Sequence, residues 1–279
     1  MGEVDRELER LKRNLNLTKT EESGVLIADG LWNNDTDSHN LCLIGRVLTS
    51  KAYRFKAFST SISGMLNPVK AMDCQKLSGG RFYFDSTIID RDRALDGSPW
   101  SFDRNIVVLN MIQEHENPLH VDLNCCDFHV HIYDLLLSKM TLGVAGYIGN
   151  RLGRFKQMDM DDSGCSWGAT LRMRVSLDVN IPLQRAMKVR TTSGDEHLVT
   201  FSYERLTNFC YFCGRLGHIS KYCKLPFAEG FSDPGTDTPY GAWLRAPLPT
   251  RRATTSVQRA TSLKGKNPAV ADLGWIHLW

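Results

Sequence analysis

Three cysteines and a histidine fall within the short stretch CYFCGRLGHISKYC. Cys210, Cys213, His218 and Cys223 have the spacing Cys-x2-Cys-x4-His-x4-Cys. Thiolates and imidazole are the donors zinc prefers in a structural site, and four of them complete its tetrahedral shell. The chemistry expected here is therefore one structural zinc ion and no reaction at the metal. A loop this short must turn sharply around the ion, and Gly214 and Gly217 supply backbone freedom that a Cβ would remove. With the metal standing in for a hydrophobic core, the unit is expected to fold with zinc and unfold without it.

The residues between the ligands point to a polyanionic partner. Three thiolates around a dication leave the centre one negative charge in excess, which Arg215, Lys221 and Lys224 offset while offering cations to phosphates. Tyr211 and Ile219 flank the ligands as an aromatic and an aliphatic surface. Such a pair grips an unstacked base, the usual way single-stranded RNA or DNA is held. The alternative is a protein-interaction adaptor in which the knuckle is only a structural staple.

Other chemistries lack their residues. A zinc deaminase needs His-x-Glu followed by Pro-Cys-x-x-Cys, and neither surrounds Cys210. Gly79 and Gly80 are not followed by Gly-Lys-Ser/Thr, so they read as a turn and not as a phosphate loop. Asp90, Asp92, Asp161 and Asp162 sit beside opposite charges or turns and read as solvated surface. His129 and His131 share one face of a strand but have no acidic cluster near them in sequence, so a second metal site is not expected. The chain is expected to bind and not to catalyse.

Composition agrees with that expectation without forcing it. Of the 279 residues 42% are hydrophobic and 23% charged, which is ordinary for a globular protein. A net charge of only +3 places any nucleic-acid affinity in local patches and not in a bulk field. No stretch approaches the ~18 to 20 uncharged apolar residues of a membrane span, and the charged N-terminus has no apolar signal-like region. An intracellular protein, nuclear or cytoplasmic, and no membrane partner are the expectation. Outside the knuckle, Cys42, Cys74, Cys125, Cys126 and Cys165 are scattered among apolar residues and read as small buried hydrophobes.

The elements that must carry the knuckle follow from periodicity. Val4, Leu8, Leu11 and Leu15 form one apolar stripe on a short helix, which docks locally or pairs with another chain; the polar run NNDTDSHN then closes an N-terminal segment over 1–40. From 41 the pattern predicts a strand (41–48), a helix (55–66), a strand (69–77), a strand (81–86), a helix (88–96) and a strand from Trp100 through 110. That β-α-β-β-α-β order is the order of the ferredoxin-like fold. Phe82 and Phe84 share one face of its third strand, as core residues or, alternatively, as a base platform. A mostly β second part follows, with strands at 126–136, 154–160, 171–179, 186–192 and 197–204 and a helix at 141–153. Within it Arg172 and Arg174 alternate with apolar residues and give one sheet face a cationic character, either solvated or turned to phosphates. The α+β domain thus runs over 41–204 and the knuckle over 205–225. The Pro-, Gly- and Thr-rich, basic stretch 226–279 is expected to be a disordered tail.

The knuckle resembles the retroviral and retrotransposon nucleocapsid pattern Cys-x2-Cys-Gly-x2-Gly-His-x4-Cys at Cys210, Cys213, Gly214, Gly217, His218 and Cys223. The stretches LIGRVLT, RALDGSPWSFD, YERLTNFCYFCGRLGHISKYC and YGAWLRA resemble, in that order, a plant domain of unknown function followed by a CCHC-type zinc knuckle. That domain pair occurs in retrotransposon-derived, gag-like proteins. The resemblance spans roughly 41 to 246 and implies zinc binding and nucleic-acid binding without catalytic activity. Where that family shows Trp-Val-Gln-Ile-His-Asp-Leu-Pro, this chain has the run from His129 to Leu136, and its terminal proline is a leucine.

Overall fold

The computed structural model describes residues 10–11, 14–26, 42–69, 72–113, 116–160, 170–190, 194–227 and 237–247. The chain divides into two compact units, Met1–Leu248 and Pro249–Trp279, and the second lies outside the described residues. So do most of the N-terminal helix and all of the 33–40 run. Of the apolar stripe, Leu11 and Leu15 are described, and both are exposed.

The first sheet has five antiparallel strands in the order β2-β3-β1-β5-β4. The strands are β1 (Leu43–Val47), β2 (Cys74–Lys76), β3 (Arg81–Phe84), β4 (Trp100–Phe102) and β5 (Asn105–Met111). Alternation sends Leu43, Val47, Phe82, Phe84, Val107 and Leu109 to one face, where they meet helix α1 (Phe55–Leu66) through Phe58, Ile62 and Leu66. Helix α2 (Ile88–Asp96) adds Ala94 to the same core. Both helices have the expected bounds because their stop signals are explicit. Asn67, left-handed at φ 45°, closes α1 ahead of Pro68, and Gly97 closes α2. Thr87 caps α2 by accepting the Asp90 amide at 3.2 Å.

Phe82 and Phe84 are fully buried, with Phe58 packed 4.5 Å from Phe82, so both rings are core residues and neither is a base platform. Two expectations are corrected here. The strand expected from Trp100 through 110 is a hairpin, because Asp103 and Arg104 take left-handed φ values of 47° and 58° and reverse the chain. The strand expected over 69–77 shrinks to Cys74–Lys76.

The second sheet is also five-stranded and antiparallel, in the order β7-β8-β6-β10-β9. It comprises β6 (Cys125–Tyr133), β7 (Arg154–Met158), β8 (Leu171–Asp178), β9 (Ala186–Arg190) and β10 (Glu196–Tyr203). Strand β6 ends at Tyr133, and Asp134, at φ 61°, turns the chain although the resembling family's proline is missing. Helix α3 (Leu142–Leu152) packs on the inner face through Ala145, Ile148 and Leu152. Ile44, Ile106 and Val108, from the other face of the first sheet, join the same cluster, so one core lies between the sheets while the α1 and α2 face of the first sheet keeps its own.

The outer face of the second sheet is a buried charge network. His129 lies opposite Arg174 and His131 opposite Arg172 across β6 and β8. Glu204 accepts from Arg172 Nε at 2.6 Å and Nη2 at 2.9 Å, and its Oε1 lies 2.6 Å from His131 Nε2. Arg172 also pairs with Asp159. Arg174 donates to the Leu95 and Asp96 carbonyls at 2.7 and 2.6 Å, putting a cation at the negative end of α2. Arg172 and Arg174 are thus engaged within the protein, and the phosphate-facing role weighed for them gives way to a structural one. Burial opposes ionisation of Glu204, yet the hydrogen bonds of Arg172 and His131 and the charge of Arg172 hold its carboxyl at about 2. Burial, reinforced by the Arg172 charge, pushes His129 down to about 4.

Among the described cysteines, Cys74 and Cys126 are buried as expected and Cys42 is partly so, but Cys125 is exposed at the start of β6. No described helix is long and apolar enough to cross a membrane.

Candidate metal centre

The chain leaves β10 through Glu204 and enters a segment pinned to the main core by Leu206 and Phe209. Phe209 pairs with Leu216 in an antiparallel bridge, and the Cys210 amide donates to the Arg215 carbonyl at 3.0 Å. The Gly214 amide donates back to the Cys210 carbonyl at 2.9 Å. These bonds close a tight turn that carries Cys210 and Cys213. Gly214 sits at φ 70° and Gly217 at φ 83°, the left-handed region the glycines were expected to supply. Gly214 has a second reason to be glycine, since a Cβ there would lie 2.3 Å from the Tyr240 ring.

One potential ligand atom from each of Cys210, Cys213, His218 and Cys223 lies within 4.8 Å of all the others. A tetrahedral ion with arms of ~2.3 Å has edges of about 3.8 Å, so a slight contraction closes this set on one zinc. The Cys213 Sγ and His218 Nε2 are already 3.4 Å apart. Amides surround the sulfurs: the Cys213 N–H faces Cys210 Sγ at 3.5 Å and the Leu225 N–H faces Cys223 Sγ at 3.4 Å. They stabilise the thiolate forms that a metal requires. Without a cation, burial and the neighbouring Cys210 and Cys223 thiols push Cys213 up to about 12. A dication removes that penalty, so the donor set fits zinc and is poorly satisfied alone.

The comparisons agree with this geometry. A zinc knuckle family model matches residues 177–225, reaching back from the ligands across β9 and β10. The segment is a CCHC zinc knuckle, and its four ligands are positioned to hold one zinc ion. An uncharacterized protein of Arabidopsis thaliana is 26% identical over 138 residues, half of this chain, and the chain covers 43% of that protein's length. A solved structure, that of the C. elegans NONO-1 homodimer, aligns with half of each chain at 9% identity and a TM-score of 0.22, too low a score to bear on the fold.

The knuckle is built into the fold and is not a detached miniature domain. Cys210 and Cys223 are buried, and Phe209 and Leu216 belong to the same hydrophobic cluster as both sheets. Part of the stretch expected to be a disordered tail completes it. Within 237–247, Leu244 is fully buried, the Ala246 amide donates to the Tyr203 carbonyl at 2.9 Å, and Arg245 donates to the Leu206 and Thr207 carbonyls. Composition suggested disorder because these eleven residues have no periodicity, yet long-range contacts hold them. The remainder of 228–279 lies outside the described residues.

The five residues expected to touch nucleic acid are not in equivalent places. Arg215, Ile219, Lys221 and Lys224 are exposed. Tyr211 is half-buried, its ring 5.0 Å from Phe209 and its hydroxyl accepting from Arg245 at 2.9 Å. Ile219 instead shares a cleft of about 240 Å³ with Tyr222, Lys51, Arg104 and Asn208. The Lys51 ammonium lies 4.7 Å from the Tyr222 ring centroid. Sequence reading missed these four. Tyr222 was recoverable as the aromatic next to Cys223, whereas Lys51 and Arg104 lie more than a hundred residues before the knuckle and carry no local signal.

Proposed function

We propose that this protein binds single-stranded nucleic acid, RNA or DNA, through its structural zinc knuckle and does not act as an enzyme. The observation that carries the reading is the juxtaposition at the knuckle surface. Arg215, Lys221 and Lys224 are exposed beside a centre whose ligands turn inward, and Ile219 and Tyr222 offer apolar and aromatic surface among those cations. Phosphates meet the cations and a base lies on the apolar surface. The resemblance to retrotransposon-derived, gag-like plant proteins supports the same reading. A ferredoxin-like arrangement of the first sheet is supported by the antiparallel order β2-β3-β1-β5, in which the two central strands are not adjacent in sequence.

The test is a fluorescence titration of zinc-loaded protein with single-stranded RNA and DNA over a salt series, repeated with Cys213→Ser. Tight, salt-dependent binding that the variant loses is the expected result. A variant that binds as well as the parent overturns the proposal.

One observation favours a second reading. Because the knuckle's buried residues belong to the main core, zinc also acts as a staple for the whole fold. In the extreme case it does only that, and the protein is an adaptor for another protein. Weak RNA affinity without salt dependence is the signature of that case.

A further inference from the structure

We infer that the cleft between the knuckle and the first sheet is a nucleotide subsite, so that the nucleic-acid surface is composite and one bound nucleotide lies between Lys51, Arg104, Asn208, Ile219 and Tyr222. This rests on the proposed function and extends it beyond the knuckle.

The first observation is shape and composition. The cleft encloses about 240 Å³ where the segment after β1, the β4–β5 turn and the second half of the knuckle converge. Two cations from the sheet side, Lys51 and Arg104, face the knuckle's Ile219 and Tyr222 across it. Lys51 lies over the Tyr222 ring, so charge and aromatic surface arrive at one point. Asn208 contributes an amide, which offers a donor and an acceptor to a base edge. Asp103 on the rim disfavours a free multivalent anion but accepts from an exocyclic amine. Cations for one phosphate, an apolar ledge and amide and carboxylate groups for a base edge are together the complement of a nucleotide.

The second observation is backbone strain at the rim. Asp103 and Arg104 both hold left-handed φ, 47° and 58°, in a two-residue turn where Asn-Gly or Asp-Gly would be relaxed. A glycine at 104 would suit the turn better, so the arginine is there against local preference, and it lines the cleft. The third observation is preorganisation. The Asn208 backbone N–H donates to the Arg104 carbonyl at 2.9 Å, tying the turn directly to the segment that enters the knuckle. The two walls are thus fixed to each other before ligand arrives, which lowers the ordering cost of binding.

The test uses the full, zinc-loaded chain and a fluorescently labelled single-stranded oligonucleotide, with zinc content measured for each variant. Each lost phosphate contact lowers the salt slope by about 0.7 and weakens binding about fivefold at 0.1 M salt relative to 1 M. Lys51→Ala combined with Arg104→Ala removes both cations from that one phosphate and should therefore weaken binding about fivefold at 0.1 M and reduce the slope by ~0.7. Lys76→Ala, an exposed lysine on β2 away from the cleft, should leave both unchanged. Arg104→Gly separates binding from folding: the melting temperature should hold or rise as the turn relaxes, while affinity falls. Tyr222→Phe should retain affinity that Tyr222→Ala loses by about tenfold. Parent-like binding and slope in the Lys51/Arg104 double variant, with Cys213→Ser binding lost, would overturn the subsite and leave the knuckle reading standing. Parent-like binding by Cys213→Ser overturns the knuckle reading itself.

Discussion

At the scale of single residues, the charge network on the second sheet sets a pH dependence whose sign is fixed. His129 titrates at about 4 in the fold against an ordinary value near 6.5, because burial and Arg172 disfavour its cation. Between those values the unfolded chain binds the extra proton, so the contribution is fully present above pH ~6.5 and is lost as pH falls towards 4. Glu204, held at about 2 against an ordinary 4.5, adds a second loss in the same direction below pH ~4.5. Denaturant titrations from pH 8 to 4 should therefore show falling stability, and His129→Gln should flatten the decline between pH 6.5 and 4. An equal decline in parent and variant would remove His129 from the account. Glu204→Gln takes from Arg172 the more buried of its two carboxylate partners, leaving only Asp159, and should cost on the order of 2 kcal/mol at pH 7. Gly214→Ala is the matching prediction at the metal. It meets both a left-handed backbone and the Tyr240 ring at 2.3 Å, so zinc affinity measured by chelator competition should fall by at least tenfold.

At the scale of elements, local rules were most legible where a stop signal is written in the chain. Helices α1 and α2 occupy the spans that Asn67-Pro68 and Gly97 dictate, and α3 differs from its expected span by one residue at each end. Thr87→Ala should cost about 1 kcal/mol in equilibrium unfolding, since it removes the acceptor that caps α2. The four metal ligands were equally legible, because their spacing alone fixes how they meet. What the sequence hid is everything decided at long range. Alternation in β8 says that Arg172 and Arg174 share a face, but not that Glu204 and the end of α2 will occupy it. Aromatic content in β3 says nothing about which face the helices cover. The turn at Asp103 and Arg104 lacks the Gly or Asn that announces a hairpin, so it was read through as strand. The same absence is what makes Arg104 informative once the structure is known.

At the scale of the whole molecule, the two sheets, the knuckle and the 237–247 segment share a hydrophobic cluster, so they should unfold together. Zinc removal is then more than a local event. With Phe209 and Leu216 in that cluster, chelation should lower the melting temperature of the β-sheet signal along with that of the knuckle, in one transition. Two separated transitions would show the knuckle to be energetically independent. The 237–247 segment gives a sharper test, because it carries no ligand and composition alone marks it as dispensable. Its Leu244 is fully buried, and its Arg245 and Ala246 bind the carbonyls of Leu206, Thr207 and Tyr203 on the path from β10 into the knuckle. Leu244→Ala should therefore destabilise the fold by about 3 kcal/mol in denaturant. It should also weaken zinc retention against a chelator, although Leu244 is not a ligand, because the segment holds the stretch after β10 that delivers Cys210. If stability falls while zinc retention is unchanged, the segment braces the sheets alone. If neither changes, 237–247 is the passive tail its composition suggests.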